Sequence, residues 1–272
     1  MAGIKKILLS LFVILCFLSI MSMVLLKTAF PRKWMKNIVQ WRISKFTGGK
    51  SEIKSISLDF GGITLNNINI FFDNHSKWNI EKVKLSPNLF PFPRKQVALN
   101  KIVIINPILE FTDKIENLSF KKKFKTEYAI IISNLGLKNG KIYFTNLRIE
   151  KLSLDIKNAS LSNTFPIEMS FFAENASFDI KAEYNYKDDL VNIKEAILKE
   201  DKKEVFLTGE LKNMLNFKNL NFNINIKGDR ILFNKIFLSN LYKRKITAFS
   251  DDKVSLEING NLENFQINNS VH

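Results

Sequence analysis

Apolar and polar residues alternate with a period of two through most of the chain after residue 50. Ile56, Leu58 and Phe60, for example, alternate with Ser55 and Ser57, which is the pattern of a strand with one buried and one solvated face. The alternation returns at 63–65, 68–72, 142–144, 152–156, 178–186, 205–207, 220–226, 254–258 and 265–267. It predicts about a dozen strands and a mainly β fold.

Two Asn-Gly pairs, Asn139-Gly140 and Asn259-Gly260, stand between alternating segments. Asn-Gly is the preferred pair of a two-residue type I′ hairpin turn, because both central residues there need positive φ. We therefore predict antiparallel hairpins at both pairs, with further turns at Gly61-Gly62, Asp73-Asn74 and Asp188-Asp189.

Helical periodicity is rare in this part of the chain. The best segment is 229–242, where Leu232, Phe233, Ile236 and Phe237 form an apolar stripe behind Asp229, a residue suited to cap a helix. The prediction is a β-rich body, 51–272, with few short helices.

A sheet with one apolar face must hide that face, and several architectures do so. A second sheet, a closed barrel or a helix layer would seal it, whereas an elongated, curved antiparallel sheet would leave a groove for an apolar ligand. Residues 102–105 and 130–132 are apolar on both faces, which favours some sandwich character. The alternation alone does not separate these possibilities.

The N-terminal segment 1–27 predicts a membrane anchor. Between Lys6 and Lys27 lie twenty uncharged residues, and a helix of that length, about 30 Å, matches the hydrocarbon core of a bilayer. The first 50 residues hold nine of the 41 basic residues and no acidic one, so the net charge of +15 is concentrated beside this segment. A dominant basic patch for nucleic acid is therefore not expected in the body of the protein.

A basic helix is predicted after the anchor, within 28–50. Its tryptophans and basic residues are typical of a helix that lies in the headgroup region of a membrane. The membrane-interface residues that we predict are Arg32, Lys33, Trp34, Lys36 and Trp41. The alternative is a helix that only caps the following domain.

The composition argues against an enzyme. The chain has one cysteine, Cys16, and two histidines, His75 and His272, so neither a zinc cluster nor a nucleophile with a histidine base can be assembled from it. We predict no catalytic residues, no metal site and no cofactor.

Several short motifs follow one another in an order that resembles the AsmA-like family, the relatives of TamB and YhdP. The motifs are Phe46-Thr47-Gly48, GGITLNNINI at 61–70, WNIEKVKL at 78–85, KIVIINPILEF at 101–111, LKNGKIYF at 137–144, LTGEL at 207–211 and INGNL at 258–262. Each motif is short, and it is their order that carries the resemblance.

The resemblance implies a single-pass anchor in a bacterial inner membrane, with the bulk of the chain in the periplasm. The count of positive charges on the two sides of residues 7–26 would, taken alone, place the C-terminal side in the cytoplasm; we follow the resemblance. It also implies a curved β-groove and a role in phospholipid transport or outer-membrane homeostasis. The expected partners are membrane phospholipid and possible envelope proteins, with no nucleic acid.

The predicted lining of the groove is the alternating apolar set. It consists of Ile56, Leu58, Phe60, Ile63, Leu65, Ile68, Ile70, Ile142, Phe144, Leu152, Leu154, Ile156, Phe178, Ile180, Phe222 and Ile224. Two other functions stay open: an anchored structural or assembly factor with a closed β-core and no lipid ligand, and a component resembling those of lipopolysaccharide transport. Bound lipid would separate the transport functions from the assembly factor.

Overall fold

The computed structural model describes residues 29–59, 61–87, 96–112, 129–145, 147–173, 175–214, 219–233, 253–261 and 264–269. The predicted anchor, 1–27, and Phe60 lie outside them. None of the helices in these ranges is long and apolar enough to cross a membrane.

The described chain is almost entirely β. One long helix, α1 (Ala29–Thr47), precedes the strands, and one short helix, α2 (Arg230–Phe233), follows the eleventh strand. The strands are β1 (Lys50–Asp59), β2 (Gly62–Phe71), β3 (Lys77–Pro87), β4 (Gln96–Glu110), β5 (Ala129–Tyr143), β6 (Arg148–Ser160), β7 (Thr164–Ala173), β8 (Ala176–Asn185), β9 (Leu190–Glu200), β10 (Lys203–Lys212), β11 (Asn221–Asp229), β12 (Lys253–Asn261) and β13 (Phe265–Asn269).

All thirteen strands belong to one sheet, and each pairs with its neighbours in chain order. The sheet is curved and not closed, which confirms the predicted mainly β fold with a curved sheet. The expectation of an entirely antiparallel sheet is wrong at one place, because β4 and β5 pair in parallel. Parallel neighbours need a connection long enough to return to the same end of the sheet, and residues 111–128 provide it.

Neither Asn-Gly pair forms the predicted hairpin. Asn139 and Gly140 lie inside β5, and Asn259 and Gly260 lie inside β12. Asn139 does adopt positive φ, 52°, but the chain continues in the same strand, so this conformation kinks the strand instead of reversing it. The predicted turns at Gly61-Gly62, Asp73-Asn74 and Asp188-Asp189 do connect consecutive strands.

A row of left-handed residues crosses the sheet from β2 to β6. Asn67, Asn106, Asn139 and Lys151 each have φ between 49° and 52°. The strand pairing places the three asparagines beside one another, with Glu81 of β3 between the first two, and it places Lys151 next to Leu152, the partner of Gly140. We call this row the crease. Asparagine tolerates the left-handed region better than other non-glycine residues, which explains its repeated use here.

Side chains join the middle of the crease. The Asn139 amide nitrogen donates to Asn106 Oδ1 at 2.9 Å, and the Asn106 amide nitrogen donates to the Glu81 carboxylate. At the crease the alternation slips by one residue, so that Leu65 and Ile68, three positions apart, are both buried in one cluster. The crease therefore bends the sheet while it keeps the apolar residues of each strand on one side.

The helix α1 packs on the β1 end of the sheet. Met35, Val39 and Ile43 contact the cluster that contains Ile53 and Ile56. Polar contacts fix the helix in this position: Ser51 Oγ donates to the Gln40 carbonyl at 2.7 Å, and the Ser51 N–H donates to Ser44 Oγ at 2.9 Å.

The short helix α2 covers the other end. The Leu232 N–H donates to Asp229 Oδ1 at 2.9 Å, which confirms the predicted cap. Leu232 is fully buried with Leu198, Val205 and Ile226 in a second cluster. The rest of the predicted helix, from residue 234 on, lies outside the described residues.

Candidate functional site: an apolar trough

Apolar side chains form a continuous row across twelve strands. Each member is the cross-strand partner of the next, so all lie on one face of the sheet. This central row is Ile56, Leu65, Val83, Ile104, Leu137, Leu154, Met169, Ile180, Ala196, Leu207, Ile226 and Leu256. At about 4.8 Å per strand the row is about 50 Å long.

A second row runs parallel to the first and is equally free of charge. It consists of Leu58, Ile63, Leu85, Ile102, Leu135, Ile156, Ile167, Ala182, Ile193, Gly209, Ile224 and Ile258. Gly209, at φ 145°, has no room for a side chain, because a Cβ would lie 2.1 Å from the Asn223 carbonyl oxygen. Two adjacent uncharged rows give an apolar strip from one end of the sheet to the other.

The central row is covered at its ends and partly exposed in its middle. Ile56 and Leu65 are 5% and 4% exposed at the α1 end, and Ile226 and Leu256 are 2% and 1% exposed near α2. The six members between them on β3–β8 are each only partly buried, and we call them the central trough: Val83, Ile104, Leu137, Leu154, Met169 and Ile180. Among the described elements, neither a helix nor a second sheet lies over β3–β8.

The partial burial of these residues indicates that they line the inside of the curved sheet. On a concave face neighbouring side chains approach one another and shield one another from water, whereas on a convex face they spread apart. Phe172 and Phe206 lie on the opposite face and are 43% and 44% exposed. Both helices also pack against the apolar face, at its two ends, and we infer that this face is the concave one.

The convex face is polar and carries cross-strand ion pairs. Lys181 Nζ lies 2.8 Å from Glu195 Oε2, and Lys199 Nζ lies 2.9 Å from Glu204 Oε1. Such exposed pairs contribute little stability each, but they make this face a solvated surface. The lysine Lys151 covers the exposed ring of Phe172, with Nζ 4.7 Å from the ring centroid.

The predicted lining residues are brought together by the fold. Except for Phe60, all of them lie on the concave face: Ile56, Leu58, Ile63, Leu65, Ile68, Ile70, Ile142, Phe144, Leu152, Leu154, Ile156, Phe178, Ile180, Phe222 and Ile224. Those at the two ends lie in the covered clusters, and Phe144, Leu152 and Ile156, in the middle of the sheet, are also buried, each 9% exposed. Of the predicted lining, Leu154 and Ile180 belong to the partly exposed central trough.

Four residues of the central trough were missed: Val83, Ile104, Leu137 and Met169. Val83 and Leu137 lie close to the crease, where the period-two pattern slips by one position and hides the strand. Ile104 belongs to a run that is apolar on both faces, in which the pattern does not identify the concave side. Met169 could have been found from the sequence, because Phe165, Ile167 and Met169 alternate with other residues in β7.

Aromatic rings follow one side of the trough from β2 to β5. The ring centroids of Phe72 and Trp78 are 4.9 Å apart, those of Trp78 and Phe111 are 6.0 Å apart, and Phe111 stacks on Phe144 at 4.9 Å. The Trp78 indole nitrogen is buried without a hydrogen-bond partner in the structure. This rim is therefore apolar apart from one unsatisfied N–H group.

A hydroxyl group lies near the opposite side of the trough, on β8. Tyr184 donates to Asp189 Oδ1 at 2.9 Å. Burial, together with this hydrogen bond, raises the pKa of the Tyr184 hydroxyl above its usual range, so it stays neutral at physiological pH. Within the described residues, no group of three or more His, Cys, Asp or Glu is placed to hold a metal ion.

The predicted membrane-interface residues divide between two faces of α1. Trp34 and Trp41 are 62% and 54% exposed, and Lys33 is exposed beside them. Lys36 points instead toward the sheet, where Nζ donates to the Lys54 carbonyl at 3.4 Å. The side chain of Arg32 lies outside the described residues.

Comparison of the chain with protein-family models, with curated proteins and with solved structures finds no match in any of the three.

Proposed function

We propose that this chain is an inner-membrane-anchored protein, with its β-sheet in the periplasm, that carries the acyl chains of phospholipid along the concave face. The observation that supports this best is the central trough, six apolar residues in successive strands that remain partly exposed. In a globular protein a sheet normally hides such a face against a second layer. The resemblance of the sequence motifs to the AsmA-like family points to the same function.

The dimensions of the trough suit a lipid tail. Six strands span five spacings of about 4.8 Å, or about 24 Å, whereas the tails of one leaflet fill about half of a 30 Å hydrocarbon core. A tail can therefore lie across the strands from β3 to β8 without leaving the apolar strip.

The trough would lower the free-energy barrier to moving a lipid between membranes, and it would not need to bind the lipid tightly. Each methylene group kept from water is worth about 0.8 kcal/mol. A lipid with about thirty methylene groups therefore faces a high free-energy barrier when it crosses water without a carrier. Isoleucine, leucine and methionine side chains offer the tail an environment similar to that of the bilayer interior. The net affinity can then be small while exchange between membranes is fast.

The headgroup needs no dedicated pocket in this mechanism. The two rows contain no charged residue that would bind it, and no described helix or second sheet covers β3–β8, so the headgroup can remain in water. We therefore expect little discrimination between phospholipid headgroups.

The test is the purification of the full chain in mild detergent, followed by mass spectrometry of bound lipid and a liposome exchange assay. We expect co-purified phospholipid and faster exchange of labelled phospholipid between vesicles. Co-purified glycolipid without phospholipid would instead favour the lipopolysaccharide-transport alternative. A lipid-free protein that gives no exchange would contradict both and leave the assembly factor.

The assembly-factor function has one observation in its favour. In the described part of the chain β13 pairs with β12 alone, whereas α1 lies along β1 at the other end of the sheet. A strand edge can pair with a strand of another protein. An assembly factor requires no ligand in the trough, so the lipid measurements above distinguish it from a lipid-transfer protein.

A further inference from the structure

The helix α1 carries apolar residues on two different faces. Met35, Val39 and Ile43 face the sheet, whereas Trp34, Ile38 and Trp41, 62%, 39% and 54% exposed, do not. At 3.6 residues per turn the two stripes are roughly 130° apart around the helix axis. We call the second set the outer stripe.

The outer stripe is held in its position by the contacts of the other face. The hydrogen bonds that join Gln40 and Ser44 to Ser51 allow only one rotation of the helix about its axis. The exposure of the two tryptophans is thus a consequence of how α1 packs on β1. Two exposed tryptophans and an isoleucine in one stripe are an unusual surface for water, because burial of such side chains is strongly favourable.

The charges that α1 itself carries beside the outer stripe have a single sign. Arg42 Cζ lies 4.9 Å and Lys45 Nζ lies 5.1 Å from the centroid of the Trp41 ring. Lys33 is exposed next to Trp34, and α1 contains no Asp or Glu. Tryptophan rings among cations are the features with which a helix binds the interface of an anionic membrane.

We propose that the outer stripe is a membrane-docking surface that seats α1 in the headgroup region of an anionic bilayer. Trp34, Ile38 and Trp41 enter the boundary between headgroups and acyl chains, while Lys33, Arg42 and Lys45 contact the anionic headgroups. Because α1 packs on β1, docking would place the β1 end of the sheet at the membrane surface. This inference does not depend on whether the trough carries lipid.

The test uses the full chain with the substitution Trp78→Phe, which leaves Trp34 and Trp41 as the fluorescent residues. Trp78 makes no hydrogen bond through its indole nitrogen, so phenylalanine should be accepted there. The protein is placed in nanodiscs of phosphatidylglycerol with a brominated phospholipid, and tryptophan quenching is measured. We expect quenching of at least about half of the emission, with a shift to shorter wavelength.

The contribution of charge is measured with the triple variant K33E, R42E and K45E. We expect clearly weaker quenching for it than for a matched variant, K101E, K138E and K157E, which makes the same charge change at exposed positions of the sheet. Unquenched, long-wavelength emission of Trp34 and Trp41 in the anionic nanodiscs would overturn the proposal and point to water or a protein partner at this stripe. Equal quenching of the two triple variants would also overturn it, because the anionic headgroups would then play no part.

A lipid-exchange assay on the same samples separates this inference from the proposed function. Exchange without quenching would remove the docking surface and leave the transfer function. Quenching without exchange would leave the docking surface and remove the transfer function.

Discussion

Replacing Leu154 by aspartate should reduce phospholipid exchange between liposomes by at least about tenfold. Leu154 lies in the middle of the central trough, between Leu137 and Met169. A carboxylate there would have to lose its water each time an acyl chain passes, which costs several kcal/mol without a partner. Each 1.4 kcal/mol corresponds to about a tenfold change.

The matched control for this variant is Ser153→Asp. Ser153 precedes Leu154 in β6, but it is exposed on the convex face, so the same charge is added to the same strand outside the lipid path. We expect near-normal exchange from it. Leu154→Ala adds a check on folding, since it shortens the side chain without adding charge, and circular dichroism should show a folded sheet for all three. Equal exchange by Leu154→Asp and Ser153→Asp would remove the trough from the mechanism.

Replacing Asn139 by valine should lower the free energy of unfolding by about 2 kcal/mol. The φ of Asn139 is 52°, and a β-branched residue is strained there by about 1–3 kcal/mol. The variant also loses the hydrogen bond from the Asn139 amide to Asn106 Oδ1. The measurement is chemical denaturation of the detergent-solubilised chain, followed by circular dichroism.

Two further variants separate backbone strain from other effects of the crease substitution. Asn139→Gly keeps the freedom to adopt positive φ and loses only the side-chain bond, so it should lose less than half as much stability. Asn134→Val, in the same strand at an exposed position with no positive φ, should change the stability by no more than about 0.5 kcal/mol. If Asn139→Val and Asn134→Val were equally stable, the crease would not be under conformational constraint.

The strands themselves could be predicted because their pattern depends on local chemistry. One face of each strand lies on the concave side of the sheet and the other faces water. The alternation of apolar and polar residues with a period of two is therefore visible in the sequence, as in β1 and β8. The slip near Asn66 and Asn67 was also visible, because Ile63 and Leu65 are out of phase with Ile68 and Ile70.

The structural role of the crease asparagines could not be predicted from the same pattern. Asn139-Gly140 has the local chemistry of a hairpin turn, and only the neighbouring strands show that it is a kink. Asn106 lies beside it in β4 and accepts its hydrogen bond, a contact between residues 33 positions apart. A single sequence does not encode such pairing in any local period.

The parallel pairing of β4 and β5 could not be predicted for a related reason. The direction of a strand depends on which end of the sheet the preceding connection returns to, and no local pattern shows this, while both strands have the composition of any buried strand. Residues 102–105, apolar on both faces, suggested a second sheet. In the structure Val103 lies on the convex face and is 8% exposed, with Lys84 and Gly136 as its cross-strand neighbours, so lysine stems can cover it without a second layer.

The most direct test of the transfer function is site-specific photocrosslinking to phospholipid in the membrane-reconstituted full chain. A photoreactive amino acid is placed at Leu154 in one protein and at Ser153 in another, and radiolabelled phospholipid is supplied before irradiation. We predict labelled lipid attached to the protein from position 154 and little or none from position 153. Equal labelling at both positions, or no labelling at 154 in a folded protein, would contradict the claim that the concave face carries lipid.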